Sequence, residues 1–224
     1  MAKRQTYLVH GEVFRTKSEL QERIKRILWR YEDRQTLATD DFEFMLDLLQ
    51  HHPRAETKMG VGVAHMLVKK NPIYHGTRSF YLVRLDGTET DFSYLECITP
   101  TSKRKKVKMA CRALVEPYTM EFKQRFFDER GGVAICELTG EKIYFIGSHV
   151  DHIPPKTFDA LFAQFIDYYG IDIEAIDLKD EFVDNKIQNE LADENLSTLW
   201  VKWHNEHAEL RVVSKCANLS RVKH

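Results

Sequence analysis

The hydrophobic pattern of the first hundred residues predicts a small unit built from both helices and strands. Alternating positions over residues 7–14, with a glycine at position 11, predict a short β-hairpin. Apolar residues then recur at helical spacing from Leu20 to Tyr31, and a second helix is predicted to begin after Thr39. Three strand-like runs follow, two of them joined by an Asp-Gly turn signal, at residues 61–69, 78–84 and 89–95.

The second half of the chain alternates helical and strand-like stretches after a break at Thr99-Pro100. We place a domain boundary at this break, which divides the chain into residues 1–100 and 101–224. A helix with a kink at Pro117 is predicted to begin in a basic run and to end at a glycine pair. Further elements complete a predicted α+β fold: strands at 133–136, 143–146 and 210–213, helices at about 157–169 and 187–206, and a short terminal helix.

The composition is that of a soluble globular protein, with 43% hydrophobic and 30% charged residues among 224. No apolar run approaches the roughly 18 residues needed to cross a bilayer, so no membrane partner is expected. The first residues lack an apolar leader with a small-residue cleavage site, which predicts a cytoplasmic location. The four cysteines are too widely scattered for a disulfide scaffold or C-x-x-C zinc ligation: Cys97, Cys111, Cys136 and Cys216.

The net charge of −1 hides blocks of opposite sign. Residues 101–130 carry 9 basic and 4 acidic side chains, whereas residues 150–210 carry 4 basic and 14 acidic ones. Residues 211–224 add 4 basic side chains and no acidic one. Basic blocks of this kind are typical both of phosphate-binding surfaces and of solvated charged faces, so charge alone leaves both interpretations open.

A carboxylate next to an imidazole follows the second apolar strand of this half, in the segment Gly147-Ser148-His149-Val150-Asp151-His152-Ile153-Pro154-Pro155. Two prolines end the strand abruptly at this point. Adjacent strand residues face opposite sides, so the strand has to end or distort if Asp151 and His152 share a target. The pair is therefore either a functional site or an exposed strand end with incidental polar residues.

Together with two later segments, this motif resembles the HNH nucleases, whose fold is called ββα-metal. The later segments are the strand Leu210-Arg211-Val212-Val213 and the short helix that carries Asn218, and the resemblance covers roughly residues 109–224. It implies that Asp151 is a metal ligand, that His152 is the general base and that Asn218 completes the metal site. The implied cofactor is Mg²⁺ or Mn²⁺, because a hard cation held by oxygen ligands suits phosphodiester hydrolysis.

The sequence departs from the family pattern where many members bind a structural zinc. One Cys pair of the family corresponds here to Cys136 and Thr139, and the other to Ser214 and Ala217. No structural zinc is therefore expected, and hydrophobic packing is expected to replace it. The family's middle Asn, which braces the loop carrying the base, corresponds to Glu209.

Four further residues are candidates for outer contacts of this site. His149 lies two residues before the carboxylate, on the same strand face, and is either a contact of the metal site or a surface histidine. His204 and His207, at the end of an acidic helical insertion predicted over 157–206, either reach the metal or phosphate or are structural. Arg221 follows the terminal helix and is predicted to contact backbone phosphate.

Residues 12–98 resemble the domain named after the plant protein "defective chloroplasts and leaves" (DCL), also catalogued as a domain of unknown function, DUF3223. The resemblance rests on short motifs along the segment: Asp41-Phe42-Glu43-Phe44, His52-Pro53, Lys58-x-Gly60-x-Gly62, Arg78-x-Phe80, Arg84-x-Asp86-Gly87 and Asp91-Phe92-Ser93-Tyr94-x-x-Cys97-Ile98. Family members are associated with ribosomal RNA maturation in plastids and with plant RNA polymerases of the silencing pathway. The resemblance implies contact with nucleic acid, whereas the aromatic residues alone are equally explained as sheet core.

These features predict a metal-dependent endonuclease that hydrolyses DNA, of the restriction type, with target recognition by the N-terminal domain. The expected partner is double-stranded DNA rather than RNA, and a homodimer would account for cleavage of both strands. Two alternatives stay open: a nucleic-acid-binding or RNA-maturation module whose nuclease half has degenerated, and a homing-type or phage nuclease. The intact set of Asp151, His152 and Asn218 favours an active enzyme.

Overall fold

The computed structural model describes residues 6–70, 76–183 and 186–220. The chain divides into two compact units, of which the first extends to Thr101 and the second begins at Ser102. Within the described residues, no helix combines the length and the apolar character needed to span a membrane.

The first unit packs helices against an antiparallel three-stranded sheet. It opens with a hairpin and three helices: β1 (Tyr7–Val9), β2 (Glu12–Phe14), α1 (Lys17–Arg30), α2 (Thr39–Gln50) and α3 (Ala55–Met59). The sheet has the order β3-β4-β5, and a short helix follows it: β3 (Val63–Lys70), β4 (Arg78–Arg84), β5 (Glu89–Phe92) and α4 (Tyr94–Ile98). The predicted hairpin, helices and strands are confirmed, although β5 is shorter than predicted because a helical turn begins at Tyr94.

Helix α1 contributes one face to the core of this unit. Thr16 caps the helix by accepting a hydrogen bond from the backbone N–H of Glu19, and its apolar residues are buried at helical spacing. Phe80 and Phe92 lie opposite each other on β4 and β5 with ring centroids 5.9 Å apart, and both are buried. The interpretation of these two aromatic residues as sheet core is confirmed.

A glycine after α3 allows an arginine side chain to pack against the backbone. Gly60 has a φ of +54°, and a Cβ at this position would lie 3.0 Å from the side chain of Arg84. Arg84 Nε donates a hydrogen bond to the carbonyl oxygen of Lys58 at 2.9 Å. Two of the short sequence motifs therefore meet in one structural feature.

The second unit begins with one long helix and continues with hairpins and shorter helices. Its first part contains α5 (Lys103–Asp128), β6 (Val133–Ile135), β7 (Lys142–Tyr144), β8 (Ser148–His152) and α6 (Phe158–Tyr168). Its second part contains a 3₁₀ turn (Ile173–Ala175), β9 (Leu178–Val183), β10 (Lys186–Leu191), α7 (Glu194–His207), β11 (Leu210–Ser214) and α8 (Lys215–Leu219). Strands β6 and β7 form one hairpin, β9 and β10 another, and β8 pairs with β11.

The helix predicted over residues 187–206 is wrong in its first part. Strand β10 extends to Leu191, and α7 begins at Glu194, after the side chain of Asp193 caps it. The β-branched residues Val183 and Ile187 favour extended backbone in this region. The insertion between β8 and β11 is therefore mixed, with a β-hairpin between two helices rather than helices alone.

The aromatic residues of α6 and α7 form the main core of the second unit. Trp200 is fully buried, lies 5.1 Å from the ring of Phe165 and donates from Nε1 to the carbonyl oxygen of Cys111 at 2.7 Å. Trp203 is also buried. Both tryptophans are therefore core residues.

Asp41→Asn is expected to lower the local stability of the first unit by about 2 kcal/mol. The buried carboxylate accepts hydrogen bonds from the Tyr31 hydroxyl and from Arg30 Nη1, both at 2.7 Å, and hydrogen bonds to a charged group are worth about 1.5–3 kcal/mol. Amide hydrogen exchange of peptides from α1 and α2 measures the change. Asp40→Asn, at the exposed neighbouring position, is the matched control and should cost less than about 1 kcal/mol. Equal costs for the two substitutions would contradict a specific role of the buried carboxylate.

Candidate active site

Pairing of β8 with β11 brings distant parts of the predicted motif together. The antiparallel register places Asp151 opposite Arg211 and Ser148 opposite Ser214. Helix α8 follows directly, and Ser214 Oγ caps it by accepting from the backbone N–H of Ala217 at 3.1 Å. Two antiparallel strands and a helix therefore stand in the order strand, strand, helix around the candidate site.

The three central residues of the predicted site line a single cavity of about 370 Å³. Asp151 and His152 from β8 and Asn218 from α8 all line it. Arg112 of α5 and Phe158 of α6 also line it, and the Arg112 guanidinium lies 4.0 Å from the centre of the Phe158 ring. Sequence motifs did not single out Arg112, and its position in the basic block of residues 101–130 was the available signal.

Asp151 is buried and paired with a cation of the neighbouring strand. Its Oδ2 accepts a hydrogen bond from Arg211 Nε at 2.9 Å, and the side chains are 7% and 15% exposed. The cross-strand register alone places the two side chains next to each other. Arg211 therefore offsets part of the cost of burying the carboxylate, a role that sequence reasoning missed.

Asn218 and His149 contact each other at the edge of the cavity. Asn218 Nδ2 donates to His149 Nδ1 at 3.1 Å, so the amide oxygen of Asn218 is directed away from the imidazole. Burial lowers the pKa of His149, and nearby Lys123 and Lys215 lower it further. His149 thus contacts a predicted metal ligand and is neutral near pH 7.

His152 is held between two aromatic residues of the insertion. Its Nε2 lies 2.9 Å from Nε2 of His204, and its ring centre lies 5.6 Å from that of Phe158. Burial lowers the pKa of His152 to about 4, and His204 and Arg112 act in the same direction. Among the described residues, the one buried side-chain nitrogen or oxygen without a partner belongs to Trp203. Nε2 of His152 is therefore occupied by the contact with His204, and Nδ1 is its other ring nitrogen.

The oxygen ligands of the cavity suit a hard divalent cation. Asp151 supplies a carboxylate and Asn218 an amide oxygen, which are the donor types that Mg²⁺ and Mn²⁺ prefer. The described residues contain no cluster of three or more His, Cys, Asp or Glu side chains suited to a metal ion. The residues present thus fit a cation that takes its remaining ligands from water and phosphate.

Hydrogen bonds surround Cys136 in the turn after β6. Its Sγ accepts from the backbone N–H of Ser214 at 3.3 Å. Burial alone would raise the pKa of this thiol, but hydrogen bonds from Thr139, Ser214 and Leu138 lower it to about 7. The sulfur therefore links the turn after β6 to β11, and Ala134, Ile143, Val212 and Val213 of the hairpin and β11 share one hydrophobic cluster.

Of the other residues predicted for this site, one contacts His152, one has a structural contact and one lies outside the described residues. His204 is buried and contacts His152. His207 stacks on Trp203 with ring centroids 4.0 Å apart, and its Nδ1 donates to the Trp203 carbonyl oxygen, so it has a structural contact. The predicted phosphate contact of Arg221 lies outside the described residues.

Glu209 contacts the loop that follows His152. Lys156 Nζ donates to Glu209 Oε1 at 2.8 Å, and the backbone N–H of Ile153 donates to the Glu209 carbonyl oxygen at 2.8 Å. The loop that follows His152 is therefore attached to the residue that directly precedes β11. The identity of residue 209 alone does not reveal these contacts, because they depend on where Lys156 and Ile153 lie.

Residues 25–98 match a family model described as a protein of unknown function, DUF3223. The chain therefore carries a DUF3223 domain at these residues, which confirms the N-terminal resemblance over this range. The match lies entirely within the first unit.

Several curated relatives match about a quarter to two fifths of this chain. A chloroplastic DCL homologue of Arabidopsis thaliana is 34% identical over 77 residues, which cover 34% of this chain and 35% of that protein. Subunit 1 of DNA-directed RNA polymerase V of the same plant is 42% identical over 65 residues, which cover 29% of this chain and 3% of that subunit. The chain thus spans about a third of the first relative and a small fraction of the second. A solution NMR structure of an uncharacterized Rhodospirillum rubrum protein is 35% identical and covers 43% of this chain and 91% of its own, with a TM-score of 0.40.

Arg211→Met is expected to destabilise the second unit by about 3 kcal/mol, because it removes one partner of a buried ion pair. Asp151→Asn and Arg211→Met together should cost less than the sum of the single changes, with a coupling of at least about 1 kcal/mol. Urea denaturation of the four variants measures the cycle. The exposed pair Lys202–Glu206 is the control and should show a coupling below about 0.5 kcal/mol. Additive costs at the buried pair would contradict the prediction.

The second unit is expected to lose stability as the pH falls from about 6.5 towards 4. The pKa values of His149, His152 and His204 are lowered in the folded state, so the unfolded chain binds more protons in this range. The contribution of these neutral histidines to the free energy of unfolding is present at neutral pH and is lost as the pH falls through their folded-state pKa values. Tryptophan fluorescence during urea denaturation follows this unit, since its two tryptophans are buried whereas Trp29 is exposed. His152→Phe should flatten the pH dependence, and a slope as steep as that of wild type would contradict the assignment.

Proposed function

We propose that the chain is a metal-dependent endonuclease of the HNH type that hydrolyses phosphodiester bonds in DNA. The observation that supports this proposal is the position of Asp151, His152 and Asn218 around one cavity. A carboxylate and an amide oxygen suit a divalent cation, and a neutral imidazole suits proton abstraction from water. Arg112 adds a positive charge at the same cavity.

His152 is the proposed general base. Its pKa of about 4 keeps the imidazole neutral at pH 7, and because His204 occupies its Nε2, Nδ1 is the nitrogen proposed to act. Nδ1 takes a proton from a water molecule as the water oxygen bonds to phosphorus. The bond from phosphorus to the leaving oxygen breaks, and that oxygen takes a proton from solvent. Such base assistance typically contributes about 10²–10⁴-fold to the rate.

Asp151 and Asn218 are the proposed metal ligands, and Mg²⁺ or Mn²⁺ is the proposed cofactor. A bound cation would supply positive charge to the scissile phosphate and to the leaving oxygen. Arg112 is proposed to bind a phosphate oxygen, because a guanidinium presents several donors in a geometry that matches phosphate. His149 fixes the orientation of the Asn218 amide through its hydrogen bond.

The DUF3223 domain is the proposed recognition module for the DNA target. Its sequence is similar to part of a plant DNA-directed RNA polymerase subunit, which is consistent with a nucleic-acid partner. A recognition domain fused to a small nuclease suits a restriction-type enzyme. One such site cuts one strand, so cleavage of both strands would require a homodimer or two successive cuts.

A second candidate is an RNA-processing or non-catalytic nucleic-acid-binding protein. The observations that favour it are that the family model matches residues 25–98 and that the curated relatives match only about a third of this chain. Ribosomal RNA and DNA substrates, assayed side by side, separate the two candidates.

Wild type is expected to cut plasmid or phage DNA with Mg²⁺ or Mn²⁺ and to stop when EDTA is added. His152→Ala should reduce the cleavage rate by at least about 10²-fold, because it removes the general base. His207→Ala is the matched control, since His207 packs on Trp203, and it should retain activity. Gel assays with modified and unmodified DNA and with ribosomal RNA measure the rates. Equal cleavage by wild type and His152→Ala, or binding of every substrate without cleavage, would contradict the proposal.

Asn218→Ala is expected to raise the Mn²⁺ concentration that gives half-maximal cleavage by about tenfold or more, because it removes one oxygen ligand. The exposed Asn195→Ala is the matched control and should leave this concentration unchanged. Calorimetric titration with Mn²⁺ gives a readout that does not depend on activity. Unchanged Mn²⁺ affinity in Asn218→Ala would remove this residue from the proposed metal site.

A further inference from the structure

His204 is a buried polar residue of the insertion that contacts the proposed base. It lies on α7, is 1% exposed, and its Nε2 lies 2.9 Å from Nε2 of His152. Its ring packs against Trp200 at 5.8 Å and Phe158 at 6.4 Å between ring centres. Since a packed aromatic environment restricts the rotation of a side chain, the His204 ring is held in one orientation.

The hydrogen bonds of His204 form a chain with a defined direction. Nδ1 of His204 lies 3.3 Å from Oδ1 of Asn205, and an amide oxygen can only accept a hydrogen bond. Nδ1 of neutral His204 therefore carries the proton, and its Nε2 is an acceptor. Nε2 of His152 must then be the donor, which leaves Nδ1 of His152 without a proton.

This direction is the one that a general base at His152 requires. A base needs an unprotonated nitrogen, and the chain leaves Nδ1 of His152 unprotonated. The bond also fixes the rotation of the ring about its attachment, because His204 itself is immobilised by packing. The contacts of Glu209 with Lys156 and Ile153 hold the loop after His152 but do not hold its ring.

We infer that His204 is a positioning residue, which holds the His152 ring with Nε2–H bonded and Nδ1 free towards the cavity. The inference rests on the proposed function, because it gives His204 a task only if His152 is the base. It assigns to the insertion a direct part in the site, although the insertion separates β8 from β11 in sequence. Asn205 completes the chain from the surface side.

The test compares variants that differ in whether they can accept a hydrogen bond from His152. His204→Phe fills the space without an acceptor, and His204→Gln restores an acceptor oxygen. Asn205→Leu removes the terminal acceptor at an exposed position where folding is not at risk, and Asn205→Asp keeps it. His207→Phe, the same change one turn along α7, is the control.

Two measurements on the full chain give separate answers. Ring ¹⁵N chemical shifts near neutral pH, assigned with His152→Ala, report which nitrogen of His152 carries the proton. We expect an unprotonated Nδ1 in wild type, His204→Gln and Asn205→Asp, and a mixture of tautomers in His204→Phe and Asn205→Leu. DNA cleavage should show a kcat reduced by about 10- to 100-fold in His204→Phe with KM within about twofold, because misplacement of a reacting group affects the chemical step. His204→Gln should recover most of the lost kcat.

The outcomes separate the inference from the proposed function. Unchanged ring shifts in both His204→Phe and Asn205→Leu would overturn the inference even if the wild type is an active nuclease. Altered shifts together with an inactive wild type would support the hydrogen-bond chain and overturn the nuclease proposal. Loss of kcat in His204→Phe without recovery in His204→Gln would overturn a role through hydrogen bonding.

Discussion

Five cross-strand pairs between β8 and β11 hold the candidate site together. The two strands are separated in the chain by residues 153–209, and no tight turn joins them. Their pairing places Asp151 next to Arg211 and starts α8 at a fixed position, from which Asn218 reaches the same cavity. A shift of one residue in this register would turn the Asp151 side chain to the opposite face and separate it from both partners. The chemistry of the site therefore depends on backbone pairing more than on any single side-chain contact.

Burial sets the protonation of the histidines around this cavity. His149, His152 and His204 all have pKa values below that of a free imidazole, and desolvation is the largest cause for each. Desolvation acts against the charged form, so these rings are neutral at physiological pH and can act as hydrogen-bond acceptors. The nearby carboxylate of Asp151 raises the pKa of His152, but burial and the neighbouring cationic groups outweigh it. The cavity therefore combines an uncharged His152 with a carboxylate that is paired with Arg211.

Local patterns in the sequence predicted most elements, because each element has its own periodicity. Helical spacing located α1, α2, α6 and most of α7, and the short apolar runs located β6, β7 and β11. The β9–β10 hairpin was missed because acidic and amide residues gave it no clear alternation. His204 was a candidate from the sequence, but its contact with His152 depends on packing, and the contact of Arg211 with Asp151, which depends on strand register, was missed. The pattern of a single sequence does not specify strand register or the packing between distant helices.

The insertion between β8 and β11 has an entropic cost that its own core must offset. Closing a loop of this length costs on the order of 3–4 kcal/mol beyond that of the shortest loop. The buried aromatic residues of α6 and α7 supply apolar surface, at roughly 1.5–3 kcal/mol for each fully buried large side chain. The insertion is therefore a packed element rather than a free loop, and its folding is what fixes His204. Because His204 meets His152 from within this core, a change that loosens Trp200 or Phe165 would reach the proposed base without touching the cavity. The packing of the insertion and the orientation of the His152 ring are therefore coupled.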